Sequence, residues 1–177
     1  VTDANGCSIT ASYTIGVAPG GVVIDSALVI NTTCNGDSTG AITVYASGGQ
    51  GNLTYIWSTT ATTATISNLP AGTYSVTASD TTGCSASASY TITQPTAVTL
   101  GNVTIDSIKC NGGTGGITVN ATGGTGTITY TWTNQATGAS ITGLAAGSYC
   151  VTASDSVGCS VSACYTITEP TPLVIDS

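Results

Sequence analysis

Seven cysteines hold most of the covalent chemistry open to this 177-residue chain, and five of them recur in phase. Cys34-Asn35-Gly36 returns as Cys110-Asn111-Gly112, and Gly6-Cys7-Ser8 returns as Gly83-Cys84-Ser85 and again as Gly158-Cys159-Ser160. There is no His to complete a Cys/His zinc set, so the cysteines read as a disulfide framework, with no metal or cofactor implied. The phase predicts Cys34–Cys84 and Cys110–Cys159, each closing about 50 residues and contributing roughly 4 kcal/mol through the entropy of the unfolded chain. Cys7 is expected to pair upstream. Cys150 and Cys164 have Ser75 and Ser89 as counterparts in the first copy, and they stand symmetrically about Ser156-Val157-Gly158. Cross-strand neighbours bring their β-carbons within bridging distance, which predicts a third bond, Cys150–Cys164, closing about 14 residues for roughly 3 kcal/mol.

Other reactive chemistry is sparse. Lys109 is the only cation, and neither His nor Arg is present. No nucleophile has an activating base and no carboxylates are paired, so the chain is not expected to be an enzyme. Thr33 stands where the second copy has Lys109, which excludes a Lys–Asn crosslink in every copy. Calcium between copies would need six to eight clustered oxygens, whereas the aspartates are scattered singly.

The elements that position the cysteines follow from the period. Pro19, Pro95 and Pro170 share one phase, and each precedes an apolar stretch: Val22-Val23-Ile24, Val98-Thr99-Leu100 and Leu173-Val174-Ile175. They mark junctions, giving complete copies at 19–94 and 95–169, the C-terminal part of a preceding copy at 1–18 and the first strand of a following one at 170–177. Strict alternation in Leu53-Thr54-Tyr55-Ile56-Trp57 and Ile128-Thr129-Tyr130-Thr131-Trp132 puts Tyr and Trp on one face. Ile42 with Val44, Tyr74 with Val76, and Tyr90 with Ile92 mark further inward pairs. Glycine-rich turns separate these runs, and no segment has a sustained helical period. Some seven short strands per copy imply an all-β fold of tandem immunoglobulin-like β-sandwiches, stapled by disulfides because a core of this size is small.

A net charge of −7 with one cation excludes nucleic-acid binding through phosphate neutralisation, and no run reaches the apolar length of a membrane span. Trp57 and Trp132 are candidates for sugar platforms, yet their place on the apolar face of a central strand favours the core. Tyr74 and Tyr149 follow Ala-Gly turns and read as corner tyrosines; Tyr45 breaks the inward parity of its strand and is the exposed aromatic.

The ordered set Cys34-Asn35-Gly36, Ile42-Thr43-Val44, Gly48-Gly49, Tyr55-Ile56-Trp57, Leu69-Pro70-Ala71-Gly72-Thr73-Tyr74 and Asp80-Thr81-Thr82-Gly83-Cys84 closely resembles the SprB-type repeat, and the second copy repeats every element. The resemblance implies large cell-surface adhesins of Bacteroidota, exported by the type 9 secretion system and including the adhesin that gliding cells move along their surface. Its O-glycosylation signal, Asp followed by Ser or Thr and then a small or aliphatic residue or Thr, would mark Ser26, Ser38, Thr81, Ser107 and Ser156. The plainer reading is that Asp-Ser and Asp-Thr are turn formers. Four Asn-x-Thr triplets, at Asn31, Asn52, Asn102 and Asn120, arise readily in a chain roughly one-third Ser and Thr.

The expectation is an extracellular shaft segment of a giant adhesin or filament, supporting attachment and gliding. Its partners would be neighbouring repeats of the same chain and covalent O-glycans, with the surface or polysaccharide contacted by a domain elsewhere. The alternatives are a polysaccharide-binding module and a self-assembling surface array or sheath.

Overall fold

Alternation of β-branched and small polar residues, broken by glycine-rich turns, gives strands joined by turns and loops, with no helix, among residues 20–175, which the structure, a computed structural model, describes. The first six are β1 (Val23–Ile30), β2 (Gly40–Ser47), β3 (Thr54–Trp57), β4 (Thr65–Leu69), β5 (Gly72–Ser79) and β6 (Ser85–Ile92). The next six repeat them in order: β7 (Thr99–Asp106), β8 (Gly115–Thr122), β9 (Thr129–Trp132), β10 (Ser140–Leu144), β11 (Gly147–Ser154) and β12 (Ser160–Ile167). Sheet order repeats as well, β1-β2-β4 with β3-β5-β6, then β7-β8-β10 with β9-β11-β12.

This is the immunoglobulin-like arrangement with one strand fewer than the seven anticipated. The seven residues between Trp57 and Thr65 are spent on a turn, so no fourth strand flanks β4. The tryptophans also differ from expectation, since β3 and β9 are edge strands of their sheets and β5 and β11 are central.

By packing, the described chain forms two compact units, one of residues 20–27, 44–64 and 75–88 and the other of 28–43, 65–74 and 89–175. In the first, β3 pairs with β5 from Thr54↔Ser79 to Trp57↔Val76, and Val44, Trp57, Val76 and Ala78 are buried. The second contains a complete sandwich. Its β7-β8-β10 sheet supplies Ile117, Val119, Ile141 and Leu144, and its β9-β11-β12 sheet supplies Trp132, Val151 and Ile167; with Ile108 these form one core. Tyr130, Tyr149 and Tyr165 pack against it with their rings partly buried. Period-two burial along β8 and β11 is what holds the register, because a one-residue slip would expose every core side chain.

Residues 170–175 form no strand, and Leu173, Val174 and Ile175 are exposed. Residues 1–18, with Cys7, lie outside the described residues.

Candidate functional site

Among the described residues two hairpins carry the Asp-x-x-Gly-Cys sequence, and in each the aspartate is the organiser. Asp155, 6 % exposed, accepts N–H groups from Thr125 at 2.7 Å, Val157 at 3.0 Å and Cys159 at 2.9 Å. Asp80, 8 % exposed, accepts from Gln50, Thr82 and Cys84, each at 2.9 Å. The carboxylate thus fixes both the hairpin tip and the glycine turn facing it. Gly124 must be glycine there, since its φ is +67° and a Cβ would lie 2.7 Å from the Asp155 carboxylate.

These contacts hold both carboxyls below their ordinary value of 3.8. For Asp155 the Thr125 N–H is the largest cause, burial opposes it, and the Cys159, Val157 and Gly158 N–H groups add to it. For Asp80 the Gln50 N–H leads, burial again opposes, and Thr82 and Cys84 contribute. A carboxyl whose folded value is depressed adds stability in full above its unfolded value, and that stability is lost as pH falls through the folded one. Calorimetry should therefore find a thermal midpoint steady from neutrality to about pH 5 and falling below about pH 4. The pair D80N/D155N should lower the neutral midpoint and flatten the acid limb.

The Cys-Asn-Gly loops are built alike. Asn35 Nδ2 donates to the Pro95 carbonyl at 3.0 Å while Gln94 Oε1 accepts the Gly36 N–H at 2.8 Å. Asn111 Nδ2 donates to the Pro170 carbonyl at 3.1 Å while Glu169 Oε2 accepts the Gly112 N–H at 2.9 Å. Each loop is thereby tied to the chain just past a β6-type strand.

That tie decides the disulfides. Cys34 bonds Cys159, with Cα atoms 5.6 Å apart and 125 positions between them in sequence. The expected pairs Cys34–Cys84 and Cys110–Cys159 do not form, and Cys84 and Cys110 are free, exposed thiols. The reason is strand length. Cys159 immediately precedes β12, whereas the Cys110 loop is held by Glu169 and Pro170 just beyond its other end. Eight residues of strand separate the two by about 25 Å, and a disulfide needs Cα atoms within about 7 Å. The Cys34 loop is likewise tied past the end of β6, which Cys84 precedes. Cys150 and Cys164, direct partners in the β11–β12 register, are bonded with Cα atoms 3.9 Å apart.

Ser26, Ser38, Thr81, Ser107 and Ser156 are all exposed, but not alike. The Ser156 hydroxyl donates to the Thr125 carbonyl at 2.6 Å and the Thr81 hydroxyl to Gln50 at 2.8 Å, on the hairpins that Asp155 and Asp80 organise. Ser26 lies on β1, Ser38 in the loop before β2, and Ser107 just after β7. Trp57 and Trp132 are 2 % exposed and donate through Nε1 to Thr63 and Gly138 carbonyls at 2.8 and 2.9 Å. Tyr74 and Tyr149 donate to Pro70 and Ala145 carbonyls at 2.9 and 3.1 Å, closing tyrosine corners. Tyr45 is 54 % exposed. Among the described residues no three acidic, Cys or His groups converge as metal ligands, and no helix is long and apolar enough to cross a membrane.

Sequence reasoning missed the roles of Asn35, Asn111, Gln94 and Glu169. The signal was present in their identical offsets from the cysteines and prolines. The SprB repeat family matches residues 29–62, from the end of β1 through β3, and 102–137, from within β7 through β9. The SprB repeat thus matches at two places in the chain, at equivalent positions of the two copies. SprB repeats occur in cell-surface proteins, and the disulfides of this chain fit an extracellular setting. No curated protein matches the chain in sequence. Similar solved structures include DIP-gamma IG1+IG2, at 14 % identity over 86 % of this chain and 98 % of that one, with a TM-score of 0.40. The ectodomain of mouse nectin-like molecule 4 (Ig1–Ig3) is 15 % identical over 89 % of this chain and 67 % of that one, with a TM-score of 0.37.

Proposed function

We propose that the two SprB repeats, bounded at 19–94 and 95–169, are part of the shaft of a large secreted cell-surface adhesin or filament, transmitting force and setting distance while another domain makes the adhesive contact. The observation that carries this reading is the Cys34–Cys159 bond, which joins a residue of one repeat to a residue of the next and so gives a pulling force a covalent route through the chain. The shallow chemistry supports it. Both tryptophans are committed to the interior, and among the described residues Tyr45, the one exposed tyrosine, makes a poor sugar platform by itself. Export by the type 9 system and a part in gliding belong to the same proposal and rest on the family alone.

The test is binding by the thiol-blocked chain. A monomer inert across a panel of polysaccharides fits the shaft; saturable sugar binding would favour the binding-module alternative, and ordered self-association without thiols would favour a sheath.

O-glycosylation at Ser26, Ser38 and Ser107 is part of this proposal. Thr81 and Ser156 would first have to give up their hydrogen bonds to Gln50 and Thr125. Glycopeptide mapping of native material should find sugar at the first three in preference to the last two. The opposite ranking would show that the hairpin hydroxyls, not exposure, direct the modification.

A further inference from the structure

The bond between Cys34 and Cys159 leaves an equivalent of each partner unbonded, and both equivalents keep the shape of the bonded one. Cys110 is the counterpart of Cys34, and its loop makes the same two hydrogen bonds, from Asn111 Nδ2 to Pro170 and from Gly112 N–H to Glu169. Cys84 is the counterpart of Cys159, and its hairpin is fixed by Asp80 through the same set of N–H groups that Asp155 uses. The surroundings correspond too. The cleft at the bonded site is lined by Cys34, Asn35, Ala97 and Val98 together with Gly158, Cys159 and Ser160 of the bonded hairpin. The cleft at Cys110 is lined by the matching Asn111, Pro172 and Leu173. Val98 is 9 % exposed, whereas Leu173 is fully exposed.

We propose that the Cys110 loop is a docking site for the Asp-x-x-Gly-Cys hairpin of a further copy of this repeat, and that Cys84 is the matching hairpin thiol, so that successive copies are joined by overlapping disulfides of the Cys34–Cys159 kind. Each new bond removes two thiol protons and two electrons. A disulfide oxidant such as oxidised glutathione takes them up and leaves as two thiols. The bond from Cys110 would begin inside the loop already closed by Cys34 and Cys159, so no stretch between copies would be left without a covalent bypass. This rests on the bonded geometry and not on the shaft reading. A sheath or a binding module built of these repeats would be linked in the same way.

The test uses the whole chain, with Cys7→Ser to remove the remaining cysteine, incubated with oxidised and reduced glutathione. A series of species at multiples of 17.3 kDa that collapses on full reduction is expected. Peptide mapping of mixed light- and heavy-isotope protein should find Cys84 of one molecule joined to Cys110 of another. Adding Cys84→Ser to one sample and Cys110→Ser to another should stop each near the monomer, while mixing the two should give a single dimer, formed on the order of tenfold faster than either self-dimer. Asn111→Ala should slow this coupling several-fold while leaving the reaction of Cys110 with a small thiol reagent unchanged. Self-dimers forming as fast as the mixed dimer would overturn the proposal, as would a Cys84–Cys110 bond within one molecule, or a chain that stays monomeric with both thiols intact.

Discussion

Pulled from its two ends, the oxidised chain should lengthen only by the residues outside the Cys34–Cys159 loop, and reductant should release about 400 Å of additional contour. The 125-position separation of these cysteines sets the size of the effect. Tension entering at residue 34 leaves at residue 159 through two sulfurs, so β2 to β11 carry none of it. Cys34→Ser should behave nearly as the reduced protein does, because Cys150–Cys164 spans only 14 positions. Closing so long a loop also contributes about 5 kcal/mol through the unfolded chain, so the same variant should lose a comparable amount in equilibrium denaturation. Force spectroscopy with and without reductant decides the matter. Contour increments indifferent to reductant would show that the long loop is not closed in solution.

Trp132→Ala should be the most damaging single substitution in the second repeat. The indole is 2 % exposed within the core formed by Ile117, Val119, Val151 and Ile167, and removing a buried aromatic of this size costs about 3–5 kcal/mol. A domain has about 5–15 kcal/mol in all. Trp132→Phe keeps much of the apolar volume but leaves the Gly138 carbonyl without the indole N–H at 2.9 Å, so it should fall between wild type and Ala. Urea denaturation should show a lower midpoint at unchanged slope for Phe. Trp57→Ala should act in the same way on the first repeat, where Nε1 serves Thr63. An unaltered midpoint in either Ala variant would mean that the ring is not part of the core.

Most of the fold was readable because β structure writes a period of two into the sequence. Ile42 and Val44, Val76, Ile92 and both tryptophans are inward where alternation places them, and Tyr45 is outward. The tyrosine corners were legible from Ala-Gly turns. The strand count was not, because nothing in the composition of residues 58–64 tells a turn from a short strand. Cys150–Cys164 was legible from hairpin symmetry, but the partners of Cys34 and Cys159 were misread for a deeper reason. A repeat period fixes which cysteines are equivalent, but it is silent on whether the partner belongs to the same copy or to the next. That choice was made by Asn35, Gly36, Gln94 and Pro95, four residues whose joint action appears only when the chain is folded. The aspartates of the hairpins were seen as modification signals; their part as three-fold acceptors needed the glycine turns opposite, brought close by the sheets.

The order of the bonded cysteines along the chain, 34, 150, 159 and 164, interleaves the two bridges. A polypeptide emerging from its N-terminus therefore presents Cys84 and Cys110 to Cys34 long before the correct sulfur arrives, and early oxidation would trap the wrong partner. Maturation of such a chain cannot proceed one repeat at a time; it must lag a full repeat behind emergence, or rely on an isomerase to undo premature links.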